Sequence, residues 1–191
     1  MSSSRSNREI EIKLRVSSAR EGRRLLRAAG FHTVHPRVFE DNRVFDTPRR
    51  TLAGADQLLR VRQAGRAALL TFKGPAAPGK YKSRGEFEMA ISDARMAALI
   101  LQKLGFEPVF RYQKYRTEYA PPRGHGVVSL DETPFGCYLE IEGAPRWIDR
   151  ATRALGFGES DYLTASYAAL YREWCSQQGV KPGDMVFPRR L

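Results

Sequence analysis

The strongest constraint on this chain is a period-two alternation that recurs along it, with almost purely charged residues on one of its two faces. Arg8–Val16 sets the pattern: Ile10, Ile12, Leu14 and Val16 share one face, Glu9, Glu11, Lys13 and Arg15 the other. Successive strand side chains point to opposite sides, so such a segment is a strand with one apolar and one polar face. The same logic predicts strands at Val38–Phe45, Leu58–Gln63, Ala68–Lys73, Lys80–Ile91, Phe110–Tyr119, Gly126–Leu130 and Gly136–Glu142, with Ala64-Gly65-Arg66 as a hairpin loop. Helices are predicted at Ser18–Gly30, at Asp93–Leu104 with Ser92 as cap and Gly105 as stop, at Trp147–Leu155 and at Asp161–Gln177. Strands joined mostly by short turns define a largely antiparallel α+β domain. One domain is expected over residues 8–178, preceded by a flexible polar segment (1–7) and followed by an extended tail, Gly179–Leu191.

The charged faces are segregated by sign. Acid pairs stand on the first strand (Glu9, Glu11) and the last (Glu140, Glu142). Basic residues fill the strands between: Arg60 and Arg62, Lys73 beside Thr71, Lys82 and Arg84 ahead of Glu86 and Glu88, then Lys114 and Arg116. Any one of these faces could be the solvated side of an open sheet, but such surfaces usually mix Thr, Ser and Gln with their charges. A sheet curled to bring these faces together would set acidic metal ligands beside cationic phosphate ligands. Mg²⁺ and Mn²⁺ prefer hard oxygen donors, and a triphosphate needs several Arg and Lys, with Arg offering a bidentate fork.

Composition is consistent with that. The 191 residues carry 32 Lys and Arg against 21 Asp and Glu, a net charge of +11 that implies an anionic partner. With 42% hydrophobic and 28% charged residues the chain is globular, and no apolar run reaches the roughly 18–20 residues of a membrane span. Met1–Asn7 lacks the apolar core of a signal peptide, and two cysteines, Cys137 and Cys175, are too few for a disulfide framework. A cytoplasmic location is expected.

In this order the residues resemble the CYTH family, also called triphosphate tunnel metalloenzymes, which includes class IV adenylyl cyclases, thiamine triphosphatases and inorganic triphosphatases. The family's Glu-x-Glu-x-Lys strand is matched by Glu9-Ile10-Glu11-Ile12-Lys13. It is followed by Phe45-Asp46-Thr47-Pro48, Leu59-Arg60-Val61-Arg62 and Thr71-Phe72-Lys73-Gly74-Pro75. Next come Arg84-Gly85-Glu86-Phe87-Glu88, Lys114-Tyr115-Arg116, Asp131 and Glu140-Ile141-Glu142. The resemblance implies a single-domain, eight-stranded antiparallel β barrel forming a tunnel, with helices packed outside. It also implies that Glu9, Glu11, Glu140 and Glu142, with Asp131 near them, hold Mg²⁺ or Mn²⁺. Lys13, Arg60, Arg62, Lys73, Lys114 and Arg116 would bind the phosphates, Glu86 and Glu88 would be accessory acids, and Glu9, Glu11, Lys13 and Glu142 would be catalytic.

Other signals carry less. Gly74–Lys80 fits the start of a phosphate-binding loop but fails at Tyr81, where a Ser or Thr is required, and reads instead as a flexible connection at the tunnel mouth. His32, His35 and His125 lack nucleophile or metal spacing. Tyr162, Tyr167, Tyr171 and Trp174 read as a helix stripe packed on the barrel, and Arg189 and Arg190 as a solubilising tail. The expected activity is metal-dependent hydrolysis of a small-molecule triphosphate: inorganic triphosphate, thiamine triphosphate or a nucleoside triphosphate. The alternatives are conversion of ATP to cyclic AMP and pyrophosphate, or non-catalytic binding of polyphosphate or nucleic acid. Neither a membrane nor a nucleic acid is expected as partner, and the chain is expected to be a monomer or homodimer.

Overall fold

β1 (Arg8–Val16) both opens and closes the sheet. It pairs antiparallel with β5 (Lys82–Ile91) on one side and β8 (Gly136–Gly143) on the other. Between these run β2 (His32–Asp46), β3 (Leu58–Ala64), β4 (Ala67–Lys73), β6 (Glu107–Ala120) and β7 (Gly126–Thr133). The closed order is β1-β5-β4-β3-β2-β6-β7-β8, and every neighbouring pair is antiparallel. This is the expected eight-stranded barrel in a single α+β domain. The computed structural model describes residues 8–188, so the expectations for Met1–Asn7, Arg189 and Arg190 lie outside the described residues.

The apolar strand faces point outward and are covered by helices. α1 (Ala19–Ala28) and α4 (Pro145–Ala154) pack Leu26, Trp147 and Ile148 against Ile12, Leu14, Val128, Leu130, Leu139 and Ile141. The helix α1 lies so close to the barrel that a Cβ at Gly22 would stand 2.7 Å from a Leu130 methyl. α3 (Ala94–Lys103) covers Phe45 and Val61 with Ala98 and Leu101. Its cap is Asp93 rather than Ser92. The Asp93 carboxylate accepts from the Arg95 and Met96 backbone N–H groups, satisfying donors that the first helical turn leaves free.

Three further differences from the sequence expectation have local causes. β2 begins at His32 rather than Val38, because Pro36 and the register shifts around His35 interrupt the alternation that marks a strand. A short helix α2 (Thr51–Gly54) follows the Asp46-Thr47-Pro48 turn, held by Asp46, whose oxygens accept from the Thr47, Leu52 and Ala53 N–H groups. The last helix, α5 (Tyr167–Gln177), starts later than Asp161. Ser166 caps it, and the chain before it runs extended so that Leu163 bridges Lys13.

α5 packs against one end of the barrel. Tyr167 and Leu170 pack with Tyr112, Phe135 and Tyr138, and Val44 and Phe110 pack against this cluster. Tyr171 and Trp174 join the same cluster, so three of the four stripe residues pack here, whereas Tyr162 precedes α5 and packs against the cluster under α1 and α4. The segment after α5 is extended but docked: Met185 is fully buried and exchanges backbone hydrogen bonds with Arg111 and Gln113 on β6. Gly74–Lys80 is likewise tied down. Gly74 and Ala77 bond to Gly85 and Ser83, and Lys80 pairs with Asp149 and Glu159.

Candidate active site

Strand parity sends the charged faces into the barrel, where they line one cavity of about 610 Å³. Glu9, Glu11 and Lys13 enter from β1, and Glu140 and Glu142 from the neighbouring β8. Register makes Glu11 the partner of Glu142, and Lys13 the partner of Glu140, so the acid pairs of two strands distant in sequence adjoin. Arg60 and Arg62 enter from β3, Lys73 from β4, Glu86 and Glu88 from β5, and Lys114 and Arg116 from β6. Lys82, Arg84, Glu118 and Tyr112 line the same space.

The β1–β8 wall is short of positive charge. Lys13 sits between Glu11 (2.8 Å) and Glu140 (3.1 Å), and Lys82 reaches Glu11 at 2.9 Å. Burial raises the Glu11 carboxyl, but Lys13 and Lys82 outweigh it and bring it down to about 2. Lys73 holds Glu9, yet burial and the nearby Glu11 and Glu86 still push Glu9 up to about 7. Glu142 has no ion-pair partner among the described residues. Solvent reaches its side chain, but desolvation inside the barrel mouth and the charges of Glu9, Glu140 and Glu11 push it up to about 7 as well.

The opposite wall is tightly paired. Arg60 contacts Tyr112 and Thr71 and lies 3.4 Å from Glu88. Lys73 bridges Glu9 and Glu86 at 2.6 and 2.9 Å. Glu86 and Glu88 thus hold the cations of this wall in place. Asp131 does not line the cavity. It is fully buried behind the wall, where its oxygens accept from Lys114 (2.8 Å), Arg116 (2.7 Å from two nitrogens) and the Tyr167 hydroxyl (2.6 Å). Arg116 also reaches Glu140 at 2.6 Å.

Sequence reasoning missed Glu40, Asn42, Tyr112 and Tyr167. Glu40 pairs with Arg62 at 3.3 Å, and Lys114, with Arg62 behind it, holds its carboxyl at about 2 against the effect of burial. Asn42 accepts from the Arg62 guanidinium. Glu40, Asn42 and Val44 alternate with Phe39, Asp41 and Arg43, and the same parity rule marks them as lumen-facing. Tyr167 has no such signal, because its position depends on α5 entering the barrel end; its ring lies 5.1 Å from both Lys13 and Lys114.

The donors suit a divalent cation. Glu9, Glu11 and Glu142 offer hard carboxylate oxygens from paired strands, and two of them are crowded enough that their charged forms are disfavoured without one. Among the described residues no three such groups stand at the spacing of a filled metal site, because Lys13, Lys73 and Lys82 are interleaved with the carboxylates.

A closed barrel of eight antiparallel strands enclosing a wall of carboxylates and a wall of guanidinium and ammonium groups defines a class of ionic-lumen barrels. The profile of the CYTH domain matches residues 7–154, and the chain belongs to the CYTH family. A Methanocaldococcus jannaschii protein named "putative adenylate cyclase" is 29% identical over 135 residues, covering 70% of this chain and 75% of its own. Among solved structures, a "putative adenylate cyclase" from Vibrio parahaemolyticus superimposes with a TM-score of 0.74 at 22% identity, covering 90% of this chain and 99% of the other. A "putative adenylyl cyclase" from Hippeastrum, described as revealing a dominant triphosphatase activity, gives a TM-score of 0.68 at 21% identity, covering 91% and 97%.

Proposed function

We propose that this chain is a divalent-metal-dependent phosphohydrolase acting on a triphosphate held in the barrel lumen. The observation that carries this is the opposition of walls within one cavity. Under-neutralised carboxylates on β1 and β8 face arginines and lysines on β3, β4 and β6. Glu9 and Glu11, with Glu142 beside them, would hold Mg²⁺ or Mn²⁺. A bound cation would neutralise phosphate oxygens and stabilise the charge that develops on them. Arg60, Arg62, Lys73, Lys114 and Arg116 would grip the phosphate chain, and Lys13, between both acid pairs, would meet the phosphoryl group nearest the cation.

Glu142 has no ion-pair partner among the described residues, and burial with the charges of Glu9, Glu140 and Glu11 raises its carboxyl to about 7 in the metal-free lumen; beside a bound cation it would be ionised and placed to take the proton from an attacking water. Glu140, Glu86 and Glu88 act as positioning residues for the cations they bind. Asp131 takes the same role here rather than that of a metal neighbour, since four hydrogen bonds from three residues occupy its oxygens.

The triphosphatase activity ascribed to the Hippeastrum neighbour supports hydrolysis, and the names of the M. jannaschii and Vibrio relatives favour cyclisation as the second reading. Both would use the same clamp and differ in whether water or the ribose 3′-hydroxyl lies in line with the scissile phosphorus. Incubation with ATP and with inorganic triphosphate, with and without Mn²⁺, followed by chromatography of the products, separates them. Metal-dependent phosphate release is expected. Cyclic AMP as the main product, with inorganic triphosphate uncleaved, would establish the cyclase instead.

A further inference from the structure

The lumen does not account for the net charge of +11. Nine basic side chains and seven carboxylates line it, and Glu40 and Asp131 pair with the same cations from the wall behind. Its charges balance, so the positive excess belongs to the rest of the chain. Seven of the arginines concerned stand on two helices. On α1, Arg20, Arg23, Arg24 and Arg27 recur at helical spacing, all exposed; on α4, Arg146, Arg150 and Arg153 do the same. Both helices pack on the outer faces of β1 and β8 and share one hydrophobic cluster, so the two stripes stand on one side of the barrel.

Helix stability does not explain these stripes. Arginines three and four residues apart repel each other, and Arg20 and Arg146 stand in first turns, where the helix dipole disfavours a cation. Pairing within the chain does not explain them either. Arg23 lies 3.7 Å from Glu132, and among the described residues the other six are in no ion pair. The two acids of these helices are engaged elsewhere: Glu21 accepts from Ser17, and Asp149 from Lys80, Tyr81 and Tyr162.

We infer that the outer faces of α1 and α4 form a docking surface for the phosphate backbone of a nucleic-acid duplex, separate from the lumen. Four guanidinium groups over about 10 Å of the α1 axis approach the charge density of a duplex, about one phosphate per 1.7 Å. All basic residues of both helices are arginine, whose planar fork pairs with two phosphate oxygens at once. Among the described residues no large apolar side chain is exposed on either helix. A bilayer-bound helix needs such side chains to enter the acyl region, and a single strand needs an aromatic platform for its bases. The lumen carboxylates, which count against a nucleic acid inside the barrel, have no free counterpart on this face. A duplex offers it only phosphates, so binding is independent of base sequence.

The test is fluorescence anisotropy of a labelled DNA duplex of about 20 base pairs, titrated with the full chain over a range of salt concentrations. Arg24→Gln with Arg27→Gln, and Arg146→Gln with Arg150→Gln, each remove two guanidiniums while keeping a good helix former, and a circular-dichroism melt checks each fold. Either pair is expected to raise the dissociation constant about tenfold and to reduce the slope of log K against log salt by about 1.8. Arg66→Gln with Arg95→Gln makes the same charge change on the β3–β4 turn and α3, and is expected to change the constant by less than about twofold. Equal losses in that control pair would make the attraction diffuse and overturn the docking surface. A loss on Arg62→Ala would place the phosphates in the lumen and overturn it as well. So would tighter binding to phosphatidylserine vesicles than to the duplex, or no duplex binding by the unaltered chain.

Discussion

Lys73 on β4 reaches past β5 to Glu9 on β1, placing its ammonium nitrogen 2.7 and 2.6 Å from the two carboxylate oxygens. One residue of the phosphate wall is thus tied to one residue of the acid wall. Filling the lumen requires that bond to be exchanged, with the lysine turning to phosphate and the carboxylate to a cation. Lys73→Met should therefore weaken triphosphate binding while tightening metal binding less than it weakens phosphate. Calorimetric titration of Mn²⁺ and of tripolyphosphate separately checks this.

Glu11→Gln should abolish metal-dependent turnover while the barrel persists. Lys13 keeps Glu140 as partner, and Lys82 is near enough to solvent to be hydrated. The checks are phosphate release with Mn²⁺ and a thermal melt followed by circular dichroism. Near-normal turnover in a folded variant would remove Glu11 from the metal site.

Arg62→Ala should weaken triphosphate binding by about 1.5–3 kcal/mol, the worth of hydrogen bonds to charged groups. Arg60→Ala should do the same and also lower the melting temperature, because that guanidinium is buried and bonded to Tyr112 and Thr71. Equal binding losses on removing an exposed arginine such as Arg20 would indicate diffuse surface attraction instead.

Asp131→Asn should destabilise the protein by about 1.5–3 kcal/mol, since it removes charge-assisted bonds from Lys114 and Arg116 and leaves them Glu40 at 3.7 Å and Glu140 at 2.6 Å. Metal affinity should change far less than triphosphate affinity. A large loss of Mn²⁺ binding in the folded variant would make Asp131 a ligand after all.

The pH response of the metal-free protein follows from Glu9 and Glu142. Both carboxyls are raised from the ordinary 4.5 to about 7 in the folded state, so the folded chain holds protons that the unfolded chain has released. Their contribution to stability is full below about 4.5 and is lost as pH rises through 7. The melting temperature should fall between pH 5 and 8, and Mn²⁺ should restore it at pH 8 while doing little at pH 5.

The barrel and most of its lining were legible because parity is a local property. Once Ile10, Ile12 and Leu14 are assigned outward, Glu9, Glu11 and Lys13 must point inward, whatever the rest of the chain does. Closure by β1 against β8 brought the acid pairs together as the charge segregation suggested. Where reasoning fell short, the cause was a contact distant in sequence. Asp131 reads as an inward carboxylate, but only the arrival of Tyr167 and the two cations of β6 shows that its oxygens are taken. Met185 looks like part of a loose tail until β6 offers it an open edge beyond its pairing with β7.

With α5 packed over one end of the barrel, where Tyr138 and Asp131 are fully buried beside Tyr167, a substrate of the proposed kind would enter and leave by the other end. Substrate and products must then share a doorway in turn. A fresh triphosphate cannot follow behind a departing product, and each turnover ends with the cavity emptied the way it was filled. If the proposed hydrolysis is correct, phosphate and pyrophosphate are accordingly expected to compete with the incoming substrate for the lumen.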